Sequence, residues 1–384
     1  MPPIRPYAVA PDRLPAYVEA LAAMLEGDGP ALLPYEDGDP EPAVPDDADL
    51  PDDLGLVVST SGSTGAPKRA MLTRAALRAS GTATHDRLGG EGMWLLALPA
   101  QHIAGTQVIL RSLAARRAPL LLNMIDGFRT ADLVDALAWA PPVRRYTSLV
   151  PTQLATVLDD PEATEALGTF DGVLVGGAAT APALLERARA AGVAVRTTYG
   201  MSETAGGCVY DGVPLEDTAV TIGDDGRVGL SGPTVASGYL GESDRTAAVF
   251  DTDPTTGARR FWTDDVGELR DGVLHVVGRR DDLITTGGLK VAPRLVEEAA
   301  LGLPGVRDAV AVATPHERWG QAVSLAVVAS PEPTLEEVRA GLRELLPAYA
   351  LPTRLLVLDA IPARGPGKPD RAAIAAMPGW QNQG

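Results

Sequence analysis

The chain has 384 residues, 45% hydrophobic and 22% charged, which is typical of a globular protein with two or three domains and a sizeable core. Its net charge of −17 disfavours a broad surface for nucleic acid or an anionic membrane, so an anionic substrate would need locally placed cations and backbone N–H groups. The lone Cys208 excludes an internal disulfide framework, and we find no membrane span or signal segment, so we expect a cytoplasmic protein.

The first predicted element is a helix over residues 12–26, where apolar residues recur at helical spacing. Residues 34–53 are acidic and rich in proline, which predicts a solvated connector without helix or central strand. From Leu54 to about residue 250, short apolar runs alternate with Ala- and Leu-rich helical patterns. This alternation predicts an α/β fold with a mostly parallel sheet.

The texture changes near residue 259, where short strands joined by an Asp-Gly turn are predicted. Two helical patterns and several β-runs follow Asp282 and form a compact unit. We therefore divide the chain into a large domain, 1–280, and a small α+β domain, 281–384.

A loop rich in glycine and hydroxyl groups lies inside the stretch VVSTSGSTGAPKRAMLT, residues 57–73. An apolar strand leads into this loop, and Lys68 and a helix opening near Thr73 follow it. Glycines let a backbone approach an anion, and N–H and hydroxyl groups at the carboxyl end of a strand can bind phosphate. The pattern predicts a phosphate-binding loop, although a flexible connector is the alternative. It is not a Walker loop, because Ala66 and Pro67 separate Gly65 from Lys68.

Further motifs follow in order along the chain. They are Gly176-Gly177-Ala178-Ala179, Tyr199-Gly200-Met201-Ser202-Glu203-Thr204, Thr263-Asp264-Asp265, Gly278-Arg279-Arg280-Asp281-Asp282, Gly287-Gly288 and Gly365-Pro366-Gly367-Lys368. Together with the loop they resemble the acyl-adenylate-forming (AMP-binding) superfamily of synthetases and ligases, from about residue 54 to 372. The resemblance implies an acyl-CoA synthetase-like fold, N-terminally shortened, in which a small C-terminal domain moves on a hinge.

Members of this superfamily let a carboxylate attack the α-phosphate of ATP, so that pyrophosphate leaves and a mixed anhydride forms. The resemblance therefore implies ATP and Mg²⁺ as cofactors. It implies nucleotide contacts from Thr60, Ser61, Gly62, Ser63, Thr64, Gly65, Lys68, Gly176, Gly177, Ala178, Tyr199, Gly200, Met201, Ser202, Thr204, Asp265 and Arg279.

Several of these positions match residues with defined roles in the superfamily. Glu203 matches the Mg²⁺ ligand, with Thr64 beside the metal, and Tyr199 matches the residue that stacks on adenine. Asp265 matches the ribose-binding carboxylate with Arg279 as its partner, although Asp264 stands where the family usually has glycine. Core packing for Tyr199 and a surface ion pair for Arg279 are the alternatives.

The resemblance also implies a two-step active site. Lys368 matches the lysine that contacts both the carboxylate and the α-phosphate during adenylation. Asp281 and Asp282 match the hinge, and rotation there would replace Lys368 by the Gly287–Gly288 loop, which helps to line a channel for a thiol. A solvated lysine and a plain interdomain turn are the corresponding alternatives.

The acid substrate is indicated by His102, which stands where acyl- and aryl-acid members carry histidine or an aromatic residue. We count His102, Glu203 and Lys368 as candidate catalytic residues. The chain lacks the aspartate of amino-acid-activating members and any carrier-protein serine motif, so the acceptor is expected to be free coenzyme A. The short length and residues 99–113 and 147–158 are most similar to o-succinylbenzoate–CoA ligases of menaquinone biosynthesis.

The aryl carboxylate of such a substrate should need a cation or several hydrogen-bond donors. The candidate cations are Arg111, Arg144, Arg145 and Arg196, and the sequence does not choose between them. Three rival functions stay open: a ligase for another aryl or fatty acid, a P-loop phosphotransferase, and a non-catalytic nucleotide-binding relative. The oligomeric state stays open as well, a homodimer included.

Overall fold

The computed structural model describes residues 4–45, 49–60, 68–362 and 369–382. The chain forms a large unit, Met1–Thr221 with Gly229–Thr263 and Arg270–Leu274, and a small unit, Ile222–Val228 with Asp264–Leu269 and His275–Gly384. No helix in these described ranges is both long and apolar enough to cross a membrane. The predicted division at residue 280 stays a prediction.

The helices account for the Ala- and Leu-rich patterns of the sequence. They are α1 Leu14–Glu26, α2 Arg74–Leu88, α3 Ile103–Ala114, α4 Thr130–Ala138, α5 Pro151–Leu158, α6 Pro161–Gly168, α7 Pro182–Ala190, α8 Ser243–Val249, α9 Pro293–Leu301, α10 Leu335–Leu342 and α11 Arg371–Ala375. Short 3₁₀ turns lie at Pro11–Arg13, Ser202–Thr204 and Ala348–Ala350.

The strands of both units alternate with these helices along the chain. They begin with β1 Ile4–Val9, β2 Ala31–Glu36, β3 Leu54–Ser59, β4 Arg69–Thr73, β5 Met93–Leu96, β6 Leu120–Leu121, β7 Arg145–Leu149, β8 Gly172–Val175, β9 Val195–Met201, β10 Gly206–Tyr210 and β11 Val213–Pro214. The later strands are β12 Ala219–Ile222, β13 Arg227–Ser231, β14 Gly238–Tyr239, β15 Phe250–Thr252, β16 Arg259–Arg270, β17 Val273–Arg279, β18 Ile284–Thr286, β19 Leu289–Val291, β20 Val306–His316, β21 Gly320–Ala329, β22 Arg354–Val357 and β23 Gln381–Asn382.

The first sheet has the order β1-β2-β3-β4-β14, with β1, β2 and β3 parallel and β4 antiparallel to β3. Helix α1 confirms the helix predicted over 12–26, and it buries Tyr17, Leu21 and Met24 at helical spacing. The connector predicted over 34–53 was wrong for residues 34–36. They extend β2 in parallel register with β1, because the buried run at 31–33 carries them into the sheet.

The second sheet has the order β11-β10-β9-β8-β7-β5-β6. Its strands β6, β5, β7, β8 and β9 are parallel, which confirms the predicted mostly parallel sheet. The carboxyl ends of β5, β7, β8 and β9, at Leu96, Leu149, Val175 and Met201, meet at one edge. Ligands of open α/β sheets bind at such an edge, so the second sheet fixes where to look for the site.

The third sheet has the order β12-β13-β16-β15, with β17 beside β16. Strands β12, β13, β16 and β17 each have residues in both units. Its β16–β17 hairpin turns at Asp271 and Gly272, whose φ angles of 51° and 78° fit the predicted Asp-Gly turn. The small unit carries a further sheet, β19-β18-β21-β22-β23 with β20 beside β21. Helices α9 and α10 and these strands confirm the elements predicted after Asp282.

Candidate active site

The predicted phosphate loop joins two neighbouring antiparallel strands. Ser59 of β3 is paired with Arg69 of β4, and Thr60 N–H donates to the Lys68 carbonyl at 2.7 Å. The hairpin therefore fixes both ends of the loop. The predicted nucleotide contacts Ser61, Gly62, Ser63, Thr64 and Gly65 lie outside the described residues.

The helix predicted to open near Thr73 is confirmed, but the segment between Lys68 and that helix was not predicted to be a strand. Residues 69–73 form β4. Helix α2 then begins at Arg74, where Thr73 Oγ1 accepts from Ala76 N–H at 3.0 Å. The reason is that the buried run 70–72 pairs with β3 before the helix can start. A phosphotransferase P-loop leads from a strand into a helix, so this topology further disfavours that rival.

The glycines after β8 bring two backbones close together. A Cβ atom on Gly176 would lie 2.3 Å from Thr198 Oγ1, and Gly177 has a φ of 80°. Any side chain at Gly176 would collide with β9, and any L-residue at Gly177 would be strained. Ala178 is exposed beside them at the carboxyl end of β8. Both glycines are therefore required by the local backbone at the edge where a nucleotide is expected.

The next motif lies partly inside a strand. We expected it after a strand, but Tyr199, Gly200 and Met201 are the last residues of β9, because pairing with β10 extends the strand. A Cβ atom on Gly200 would lie 2.1 Å from the Gly206 carbonyl oxygen, so the approach of β10 requires glycine there. Ser202 and Thr204 form the following 3₁₀ turn, and Thr204 Oγ1 donates to the Gly206 carbonyl at 2.8 Å.

Glu203 is a buried carboxylate, 6% exposed, at the middle of this turn. The Tyr239 hydroxyl donates to Glu203 Oε1 at 2.8 Å, and the Glu203 carbonyl accepts from Ala236 N–H. Lys68 Nζ lies 5.6 Å from the centre of the Tyr239 ring. Tyr239 therefore links the end of the phosphate loop to the expected metal ligand. The sequence offered no signal for this role, because Tyr239 is 36 residues from Glu203.

A Mg²⁺ site can be tested against these residues. Among the described residues, no three His, Cys, Asp or Glu side chains cluster as a metal site. Mg²⁺ in nucleotide enzymes takes one or two carboxylates, and phosphate oxygens and waters complete its shell. A single fixed carboxylate, Glu203, therefore fits the cation.

His102 lies at the start of helix α3, after the carboxyl end of β5. Its carbonyl accepts from Thr106 N–H at 2.9 Å, and its own residue is exposed. Thr106 Oγ1 donates to the Ala100 carbonyl at 2.7 Å and lies 3.3 Å from the Tyr17 hydroxyl. The first helix of the chain thus contacts α3, at whose start His102 lies.

Three of the four candidate arginines lie away from the ligand-binding edge. Arg145 and Arg196 are at the amino ends of β7 and β9, and a five-residue strand separates its ends by about 13 Å. Arg196 also pairs with Asp211 at 3.0 Å. Arg144 is exposed and donates to the Gly89 carbonyl. The geometry does not support these three as carboxylate ligands at the sheet edge.

Arg111 differs from the other three. It is 3% exposed, and burial lowers its pKa. Its Nε, like that of Arg145, has no hydrogen-bond partner within the described parts of the chain. Its guanidinium carbon lies 5.0 Å from the centre of the Trp94 ring. A Cβ atom on Gly206 would lie 3.9 Å from Arg111 Nη2, and Gly206 is paired with Met201 at the carboxyl end of β9. The guanidinium therefore reaches the ligand-binding edge.

Gln107 lies one helical turn before Arg111 on the same face of α3. Its amide nitrogen donates to the Ala205 carbonyl at 2.8 Å, whereas its Oε1 has no partner among the described residues. Sequence reasoning missed Gln107. The signal was present, since Gln107 and Arg111 are polar residues four apart in a mostly apolar helical run.

In the small unit, Arg279 bonds to its acidic neighbours. Its Nε and Nη2 donate to Asp281 at 2.9 and 3.1 Å, and Nη2 lies 3.6 Å from Asp264. Burial opposes the shift, but Asp281 and the other carboxylates raise the pKa of Arg279. Asp265 lies in β16, one residue beyond Asp264. The ion pair that we considered as an alternative for Arg279 is thus present.

The second hinge residue belongs to another ion-pair network of the small unit. Asp282 lies 3.9 Å from Arg371 Nε, and Arg371 also donates to Glu297 and to the Ala311 carbonyl. Gly287 and Gly288 have φ angles of 57° and 83°, which glycine adopts without strain. Lys368 lies outside the described residues.

The sequence matches the AMP-binding enzyme family over residues 12–240 and the AMP-binding enzyme C-terminal domain over residues 295–368. It is 46% identical over 364 residues to a probable 2-succinylbenzoate–CoA ligase of Mycobacterium tuberculosis, with 92% of this chain and 93% of that protein covered. It is 30% identical over 348 residues to a 2-succinylbenzoate–CoA ligase of Enterococcus faecalis, with 83% and 69% covered.

Among solved structures, the chain is similar to the o-succinylbenzoate CoA synthetase of Bacillus subtilis in complex with its acyl-adenylate intermediate. The TM-score is 0.76 at 24% identity, with 97% of this chain and 83% of that chain covered. At this identity the likeness concerns the fold, and it confirms the predicted large and small domains. The family match covers more than half of the chain, and the protein therefore belongs to the AMP-binding enzymes.

Proposed function

We propose that the protein is an ATP-dependent acid–CoA ligase. It adenylates o-succinylbenzoate (2-succinylbenzoate), transfers the acyl group to coenzyme A, and releases AMP and pyrophosphate, as a step of menaquinone biosynthesis. The names of the relatives support this substrate. The observation that carries it within this chain is Arg111, a buried guanidinium without a carboxylate partner among the described residues.

The substrate has two carboxylates, and the site would treat them differently. Arg111 binds the aryl carboxylate, because a buried cation gains most from a ligand that brings an opposite charge. Gln107 lies on the same face of α3 and contributes its amide to the same pocket. The succinyl carboxylate then points to the nucleotide, where it reacts.

In the first half-reaction, an oxygen of the succinyl carboxylate forms a bond to the α-phosphorus of ATP. The bond from that phosphorus to the pyrophosphate oxygen breaks, and pyrophosphate leaves. In the second, the sulfur of CoA bonds to the acyl carbon, its proton passes to base or solvent, and AMP leaves. Both steps depend mainly on positioning and on charge stabilisation.

The residues of the large unit take the nucleotide roles in this proposal. Tyr199 stacks on adenine, and Gly176, Gly177 and Gly200 contribute backbone contacts to the nucleotide. Glu203 and Thr64 hold Mg²⁺, which when bound neutralises phosphate charge and orients the phosphates. His102 borders the acid at the start of α3.

The small unit supplies the remaining groups in this proposal. Asp265 and Arg279 bind the ribose, and Lys368 contacts the carboxylate and the α-phosphate during adenylation. Rotation about Asp281 and Asp282 then exchanges Lys368 for the Gly287–Gly288 loop, beside which CoA enters. The positive φ angles of both glycines support a loop that backbone, rather than side chains, presents to the thiol.

We further propose that the enzyme works in the cytoplasm. Cys208 is buried, and burial raises the pKa of its thiol to about 12, so it is inert and suits a reducing compartment. A homodimer is also possible for this sequence, and light scattering of the purified protein would measure the oligomeric state.

The decisive experiment measures pyrophosphate release from Mg-ATP with a panel of aryl and alkyl acids, with and without CoA. We expect o-succinylbenzoate to drive release, and CoA to convert the adenylate to AMP and a thioester. Lys368→Ala should still bind ATP but lose adenylation by several orders of magnitude. If another acid drives more pyrophosphate release than o-succinylbenzoate, the ligase chemistry stands and the substrate assignment is wrong. If no acid gives release, the non-catalytic alternative is correct.

A further inference from the structure

A chain of buried contacts connects Arg111 to Trp94 and His85. Trp94, fully buried in β5, donates from its indole Nε1 to His85 Nε2 at 3.0 Å. His85 lies in α2 and is 4% exposed. The face of the same indole ring carries the Arg111 guanidinium at 5.0 Å. Three elements of the large unit thus converge on one cation.

The hydrogen bond fixes the protonation state of His85. Its Nε2 accepts the indole proton, so this nitrogen carries no proton of its own and the neutral ring is protonated at Nδ1. Burial and the charge of Arg111 lower the pKa of His85 to about 4, although Asp86 opposes the shift. His85 therefore remains a hydrogen-bond acceptor at neutral pH.

The indole ring of Trp94 is a fixed contact of the Arg111 side chain. An arginine side chain has several rotatable bonds and loses about 2 kcal/mol of rotamer entropy when it is held in one geometry. Arg111 Nε has no partner in the described residues that could hold it instead. Because the guanidinium carbon lies over the indole ring at 5.0 Å, the position of Trp94 helps to set where the guanidinium meets a ligand.

We propose that His85 and Trp94 are positioning residues that fix the Arg111 guanidinium for the aryl carboxylate of the substrate. The inference rests on the proposed function. Neither residue touches the reacting atoms, so loss of either should weaken binding of acids that carry the aryl carboxylate and leave the chemical step unchanged. The effect should vanish for an acid without that group.

The test compares o-succinylbenzoate with 4-oxo-4-phenylbutanoate, the same keto acid without its aryl carboxylate. In the adenylation assay, we expect His85→Leu and Trp94→Phe to raise KM for o-succinylbenzoate by about tenfold, the equivalent of about 1.4 kcal/mol. The KM for the shorter acid and both kcat values should stay unchanged. His85→Gln, whose amide oxygen can accept the indole proton, should restore most of the affinity.

Tyr146→Phe is the matched control. The Tyr146 ring lies 5.1 Å from the Trp94 ring, and its hydroxyl bonds to the Leu88 and Gly90 carbonyls. The substitution removes buried hydrogen bonds next to Trp94 without touching the His85–Trp94–Arg111 contacts. It should leave the ratio of the two KM values at the wild-type level.

A second measurement follows the indole N–H directly and does not depend on activity. The protein has five tryptophans, and Trp94→Phe identifies the Trp94 indole signal in a ¹⁵N–¹H NMR spectrum. We expect o-succinylbenzoate to shift this signal and 4-oxo-4-phenylbutanoate to leave it in place. His85→Leu should move the signal towards the position of an indole without a hydrogen bond.

The outcomes separate the two proposals. If Arg111→Met abolishes the preference for o-succinylbenzoate but His85→Leu and Trp94→Phe keep it, the positioning inference is wrong and the proposed function stands. If both KM values rise equally in the His85 and Trp94 variants, their role is general packing and the inference is again wrong. If Arg111→Met itself keeps the preference, the carboxylate subsite is wrong, and the positioning role falls with it.

Discussion

Two arginines of the large unit, Arg111 and Arg260, are both buried against a tryptophan ring, but they differ in whether a carboxylate of the fold pairs with them. Arg111 and Arg260 are 3% and 8% exposed, and their guanidinium carbons lie 5.0 and 4.4 Å from the centres of tryptophan rings. Arg260 donates to both carboxylate oxygens of Asp251 at 2.8 and 2.7 Å, and this pairing raises its pKa. Arg111 has no carboxylate partner among the described residues, and burial lowers its pKa.

The comparison shows what an aromatic ring can and cannot do for a buried cation. Removing a guanidinium from water costs several kcal/mol, and a desolvated cation–π contact returns about 2 kcal/mol. The ring orients the cation, but a carboxylate is needed to balance it. Arg260 obtains that carboxylate from the fold, whereas Arg111 is placed to obtain it from a ligand.

The largest expected effect is on substrate use. Arg111→Met should lower kcat/KM for o-succinylbenzoate by roughly 10²–10³-fold, because truncating one member of a buried charge pair costs about 2–5 kcal/mol. Arg260→Met should leave kcat/KM within about twofold, since Arg260 pairs within the fold. Steady-state pyrophosphate release measures both variants. Equal losses in the two would mean that Arg111, like Arg260, is structural.

The next effect is a pH dependence of the free energy of unfolding. It arises from His85, next to Arg111, and substitution of Arg260 should not change it. His85 has a folded pKa of about 4, below the value of about 6.5 in an unfolded chain. Above pH 6.5 both states are neutral. As the pH falls from 6.5 to 4, only the unfolded state takes up the proton, so stability falls by about 1.4 kcal/mol per pH unit and by about 3 kcal/mol in all.

This pH dependence is measured as the difference between wild type and His85→Gln in urea unfolding at several pH values. The difference should grow between pH 6.5 and 4 and be constant above 6.5. Arg111→Met should narrow the pH range over which this difference grows, because removing the cation raises the pKa of His85. Arg260→Met should leave this pH range unchanged. If the stability of wild type and of His85→Gln changed in parallel with pH, His85 would not be a neutral, buried histidine.

A third effect is on stability at neutral pH, where the two arginines should act in opposite directions. Arg260→Met should lower the free energy of unfolding by about 2 kcal/mol, because Asp251 and the buried Asp253 lose their cation. Arg111→Met should be neutral or stabilising, since it removes a desolvated charge that has no counter-ion in the fold. Urea unfolding midpoints of both variants decide the point, and a loss of stability in Arg111→Met would imply an internal partner.

The sequence predicted the elements of the fold better than the contacts of the site. Periodicity and alternation were enough for α1 and for the parallel strands, since each pattern is local. Strand β4 was missed because five residues before a strong helix pattern carry little signal. His85, Trp94 and Arg111 are dispersed over α2, β5 and α3, and only the packing of those elements brings them together. The buried polar pair Gln107 and Arg111 was the one local signal of the acid pocket.

The smallest expected effect concerns Glu203, a buried carboxylate that accepts a hydrogen bond from a tyrosine hydroxyl. Tyr239 donates to Glu203 Oε1 at 2.8 Å, and partners that orient a metal ligand typically contribute 10–100-fold to metal affinity or activity. Tyr239→Phe should therefore raise the Mg²⁺ concentration for half-maximal adenylation by about tenfold. Tyr210→Phe is the control, since it removes a buried hydroxyl that bonds to Thr84 at 2.9 Å and not to Glu203. If both variants need the same extra Mg²⁺, Tyr239 acts through packing. If only Tyr239→Phe needs it, Glu203 resembles Arg111 in one respect: a neutral side chain of the fold, Tyr239 in one case and Trp94 in the other, orients a charged group for its ligand.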